Sequence, residues 1–147
     1  MKKTLLYFFL APFILLCSCS KEWMEDRLEG TWRLKSAERN SFINWKSFDT
    51  GYEDGRFAFQ GDGSATYLDN QLSMNGDWRI RRVTDLYNNN GDDGSNSRMA
   101  LFIHLIDFNL QRTLNLEFDD IHYRTRNRLV AEYESSGYRY RYVFVRD

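Results

Sequence analysis

A chain of 147 residues with a net charge of −1 and 42% hydrophobic residues has enough apolar material for one core, and its near-neutral balance argues against a nucleic-acid-binding face. Its two cysteines, Cys17 and Cys19, both lie near the N-terminus. Thiol catalysis, cysteine-ligated zinc and internal disulfides are therefore excluded from everything beyond Cys19.

The chain opens Met1-Lys2-Lys3 and continues with an apolar run over residues 5–16 that contains Pro12. A positive start followed by a short apolar run is the pattern of an export signal, and the run is shorter than the roughly 20 residues a membrane-crossing helix needs. Leu16-Cys17-Ser18-Cys19 follows at once and resembles the lipobox of bacterial lipoproteins. That resemblance implies acylation of the Cys19 thiol and cleavage before it, with residues 1–18 discarded and the lipid on Cys19 holding the chain at a membrane. Ser20, where an aspartate would signal retention, resembles the outer-membrane type. Residues 19–27 read as a polar, charged tether. At ~3.5 Å per residue, residues 20–29 reach at most about 35 Å from the membrane.

From residue 28 onward there is no proline, and β-branched and aromatic residues gather in short runs separated by Gly, Asn, Asp and Ser. This is an all-β pattern. In chain order the expected strands cover residues 30–37, 56–60, 64–68, 76–83, 99–107, 113–118, 128–134 and 138–146. A short run over 121–125 is either a further strand or a continuation of its predecessor. Residues 40–52 carry Phe42, Ile43, Trp45 and Phe48 without alternation, which suggests a short helix or an ordered loop over one end of the fold. Residues 88–97 read Asn-Asn-Asn-Gly-Asp-Asp-Gly-Ser-Asn-Ser and predict a surface loop. No helix pattern of ordinary length is visible.

Two hairpins follow from their turns. Phe57 and Phe59 alternate up to Gly61-Asp62-Gly63, and Ala65 and Tyr67 alternate after it. A two-residue turn at Ser136-Gly137 sets Glu134 opposite Arg139, Tyr133 opposite Tyr140, Glu132 opposite Arg141 and Ala131 opposite Tyr142. Charges then pair on one face, while Tyr133, Tyr138, Tyr140, Tyr142 and Phe144 share the inward one. About eight strands in a meander predict an antiparallel up-and-down β-barrel, with a sandwich as the alternative.

Leu28-Glu29-Gly30-Thr31-Trp32-Arg33-Leu34 contains a Gly-x-Trp and resembles the opening strand of bacterial lipocalin-like lipoprotein domains. Gly76-Asp77-Trp78 repeats the pattern later, and the resemblance extends loosely over residues 28–147. It implies that Trp32 plugs the closed end of a calycin-type barrel beside Gly30, with Arg146 packed over the indole. Cation–π stacking of that kind is worth roughly 0.5–2 kcal/mol.

A small barrel either fills its interior or leaves room for one ligand. The candidate lining is Trp32, Phe57, Phe59, Tyr67, Trp78, Tyr133, Tyr140 and Tyr142, and His104, in a strand apolar on both faces, is expected either buried with a partner or facing a cavity. His122 and the acidic group Glu117, Asp119 and Asp120 read as solvated. No catalytic motif, metal spacing or cofactor signature appears. The first functional expectation is a lipid-anchored envelope protein that binds a small apolar or amphipathic ligand without catalysis. The alternative is a packed interaction module that meets an envelope partner.

Overall fold

The computed structural model of the protein describes residues 19–41, 44–84 and 97–147. The expected leader, Phe42 and Ile43, and all of the expected 88–97 loop except Ser97 lie outside the described residues.

Among the described residues one short helix, α1 (Cys19–Leu28), precedes ten strands. These are β1 (Gly30–Ser41), β2 (Asn44–Phe48), β3 (Arg56–Phe59), β4 (Ser64–Leu68), β5 (Ser73–Thr84), β6 (Ser97–Asp107), β7 (Arg112–Phe118), β8 (Asp120–Thr125), β9 (Arg128–Ser135) and β10 (Tyr138–Arg146). All eight expected strands are present, and residues 121–125 belong to a strand of their own. The pairing is antiparallel throughout, in the order β7-β6-β5-β4-β3-β1-β10-β9-β8, with β2 added to β1.

β7 and β8 are the two edges of that order, yet only Asp119 separates them in the chain. One residue spans about 3.5 Å, so the two edges come together at that point and the sheet bends back on itself. No ladder hydrogen bonds join them, so the cylinder expected of an up-and-down barrel is not closed by its backbone. Side chains hold the seam instead: Phe118 of β7 packs its ring against Tyr133 of β9 and against Tyr142 and Phe144 of β10.

Both expected hairpins form in the expected register. Phe57 faces Tyr67 and Phe59 faces Ala65. Glu134 faces Arg139, Tyr133 faces Tyr140, Glu132 faces Arg141 and Ala131 faces Tyr142. Ser136 (φ 53°) and Gly137 (φ 78°) take the left-handed conformations that a tight two-residue hairpin needs.

Two segments differ from their expected form. The polar tether expected over residues 19–27 is helical as part of α1, because Met24 and Leu28, four residues apart, both bury against the sheet. A Lys21–Glu25 pair at 2.6 Å spans one turn, and Glu22 near the start and Arg27 near the end complement the helix dipole. In place of the helix or loop expected over residues 40–52, β2 forms a hairpin with β1. Trp45 lies under the Arg141 guanidinium at 3.9 Å, whereas Phe48 meets the rings of Tyr140 and Tyr142.

Buried Asp107 ends β6 and accepts hydrogen bonds from the backbone N–H groups of Leu110, Ser73 and Asn109. These donors hold its carboxyl below the usual range, and the Gln71 and Leu72 N–H groups with the Tyr67 hydroxyl do the same for Asp69. Both folded values lie below the unfolded ones. Their contribution is therefore present above the ordinary carboxylate pKa of about 3.9 and is lost as pH falls through the folded values. The urea midpoint is expected to hold down to about pH 5 and to drop below about pH 4. Asp107→Asn should make that drop shallower.

Candidate functional site

The start of β1 builds one end of the roll. Trp32 is fully buried and faces Arg146 of β10, whose guanidinium lies 4.8 Å above the indole ring. The indole N–H donates to the Leu28 carbonyl at 2.7 Å, and Arg146 Nη2 donates to the Arg27 carbonyl at 2.5 Å, so α1 is fastened across this end. Gly30 (φ +116°) passes so close that a Cβ there would stand 2.9 Å from Arg146 Nη1. Gly30, Trp32 and Arg146 are thus packed together as one unit.

The second Gly-x-Trp works alike. Trp78 is buried, and its indole N–H donates to the Gln60 carbonyl at 2.9 Å. A Cβ on Gly76 would lie 1.9 Å from the His104 carbonyl oxygen across the β5–β6 pair. Only glycine allows the strands to approach so closely there.

The structure brings most of the expected lining residues together in one interior. Phe57 lies 4.8 Å from Tyr67, 6.4 Å from Phe59 and 5.7 Å from Phe144 between ring centroids, and Phe59 lies 5.9 Å from Trp78. Toward the other end, Tyr133 and Tyr140 stack at 4.6 Å with rings nearly parallel, and Tyr142 leans on both Tyr133 and Phe118. Burial pushes the Tyr67, Tyr133 and Tyr142 hydroxyls above the ordinary phenol range, and Asp69 beside Tyr67 adds to the effect. They stay neutral at physiological pH and serve as donors.

His104 does not belong with them. Its side chain is exposed on the outer face, with Nδ1 3.6 Å from Asp77 Oδ2. The expectation of a buried or cavity-facing histidine fails because β6 is apolar outside as well as inside. On the outer face Phe102 is half-buried under the guanidiniums of Arg79 and Arg81, whereas Leu101, Ile103 and Leu105 fill the core.

Open depressions on the described surface include five that Trp32, Phe57, Phe59, Tyr67, Trp78, Tyr140 and Tyr142 do not line. Tyr133 reaches two, at the seam and beside the β9–β10 turn. Residues not singled out from the sequence complete the closed end: Tyr123 contacts the rings of Trp23 and Trp32, and its hydroxyl donates to the Met24 carbonyl at 3.2 Å. The apolar run Ile121-His122-Tyr123 offers little sign of that role, because Tyr123 acquires it only when the helix docks.

Among the described residues no group of three or more His, Cys, Asp or Glu side chains could hold a metal ion, and no helix is long and apolar enough to cross a membrane. Comparison with protein-family models, with characterised proteins and with solved structures finds no match to this chain.

Proposed function

We propose that the protein is a lipid-anchored component of the bacterial cell envelope, at the outer membrane. In this reading it is a lipocalin-like barrel that acts as a binding and interaction module rather than as an enzyme. The ring-on-ring packing of Phe57, Phe59, Tyr67, Trp78 and Phe144 supports this reading most, because rings in mutual contact occupy the volume a ligand would need. The surface also carries an apolar contact point. Phe108 and Leu110 are 76% and 52% exposed, on a β6–β7 turn held by the Asp107 carboxylate. Large apolar side chains kept in water on an ordered turn suit a protein partner.

A second reading, a small apolar or amphipathic ligand, draws on the stacked and half-buried Tyr133 and Tyr140. Phenols at the rim of an aromatic interior offer a ligand both apolar area and hydrogen-bonding hydroxyls.

Native mass spectrometry of the chain purified from its own host separates the two. The expected spectrum is the acylated polypeptide without a further small molecule. A stoichiometric small-molecule adduct would shift the assignment to the ligand reading. The anchor is tested by Cys19→Ala, which should move the protein from the membrane pellet to the soluble fraction. Retention of that variant in the pellet would rule out lipid on Cys19 as what holds the protein there.

A further inference from the structure

Beside the closed end, Trp23, Asp26 and Arg27 of α1, Arg126 and Asn127 of the β8–β9 turn, and Arg146 of β10 line an open cleft of about 700 Å³. Three arginines line it against a single acidic residue. Four arginines elsewhere are neutralised directly: Arg33 and Arg56 share Asp147, Arg139 pairs with Glu134, and Arg141 pairs with Glu132. Arg27, Arg126 and Arg146 make no such pair among the described residues, and the Nε atoms of Arg27 and Arg146 are buried without a hydrogen-bond partner.

Two of the three are also held in place before any ligand arrives. Arg27 lies 4.9 Å from the Trp23 ring and 4.5 Å from the Tyr123 ring, and Arg146 is fixed over Trp32 with one nitrogen on the Arg27 carbonyl. Stacking of this kind fixes the plane of a guanidinium, so little side-chain freedom is lost when an anion is bound. Planar, preset guanidiniums match the oxygens of phosphate in a bidentate manner. Asp26 in the cleft and exposed Glu29 just after α1 would repel a broad anionic surface. A single compact anion fits better.

We propose that this cleft is a binding site for a phosphate-bearing group, with Arg27, Arg126 and Arg146 as its ligands and Trp23 as its apolar wall. The site is separate from the aromatic interior and does not depend on how that interior is used. A free phosphate ester and the headgroup of a phospholipid share the chemistry required.

The test is thermal unfolding of the full chain in detergent, with inorganic phosphate or glycerol 3-phosphate against sodium chloride of equal ionic strength. Binding to the folded state alone raises Tm by a few degrees once the anion exceeds its Kd severalfold. Arg126→Gln is the informative variant, since Arg126 is exposed and takes no part in the Trp32 closure. It should keep the parent Tm in chloride and lose the phosphate-specific rise. A rise equal in chloride and phosphate, or one that survives in Arg126→Gln, would overturn the proposal. To separate the sources, the chain is held in a phosphate-free detergent with or without added phosphatidylglycerol. If phosphatidylglycerol abolishes the added effect of glycerol 3-phosphate, the headgroup occupies the cleft; if the effect persists, the ligand is a soluble ester.

Discussion

Trp32→Ala should cost about 3–5 kcal/mol of folding free energy, the usual range for emptying a buried aromatic site. The indole is fully buried, donates to the Leu28 carbonyl and supports the Arg146 guanidinium. Its removal therefore leaves a void, an unanswered carbonyl and an arginine without its platform. For a domain whose whole stability is about 5–15 kcal/mol, a loss of this size is severe. With a urea dependence of about 2 kcal/mol per molar, the midpoint should fall by about 2 M. Trp23→Ala, at a half-exposed ring, is the comparison and should move it by less than a third as much. Equal effects of the two substitutions would mean that Trp32 does not carry the closure.

Gly76→Ala should be nearly as damaging, at about 3 kcal/mol, although it adds only a methyl group. That methyl would stand 1.9 Å from the His104 carbonyl oxygen, a backbone atom that cannot rotate away. Relief requires β5 and β6 to part along a ladder that runs from Asn75 opposite Ile106 to Thr84 opposite Ser97. Overpacking is usually worth 1–3 kcal/mol, and a clash with main chain belongs at the upper end. The neighbouring exposed Asn75→Ala should be close to neutral, and hydrogen exchange of the β6 amides should rise in the glycine variant alone. A fully stable Gly76→Ala protein would show that the strands are not as close as described.

The parts of this fold that can be read in the sequence are those where two independent signals coincide. In the C-terminal hairpin, the Ser136-Gly137 turn and the Glu–Arg pairing demand the same register, and that register is found. The Trp32–Arg146 contact follows from a meander whose last strand returns beside its first, and it too is found. The helix is obscure because only Met24 and Leu28 are buried among charged neighbours, too few to draw a stripe. β2 is obscure for the opposite reason: Trp45 and Phe48 lie on different faces, one under an arginine and one in the core, so polar alternation is lost. His104 deceives because apolar residues occupy both faces of β6, and only packing distinguishes the side covered by guanidiniums from the side that enters the core. Of the candidate site, the aromatic set is legible as a list. Whether its members leave space between them depends on ring orientation, which no pattern of residue types records.

The central place of β1 sets the timing of folding. It is hydrogen-bonded to β3 on one side and to β10 on the other, so its second neighbour lies more than a hundred residues away in sequence. The β3–β7 meander can assemble from nearby segments, but Trp32 stays half-housed until the final strand is present to deliver Arg146 and Phe144. Pairings of such long range are slow to form, on the scale of milliseconds to seconds for β-rich domains. The chain therefore completes its core late, and during that interval its aromatic faces are open to chaperones.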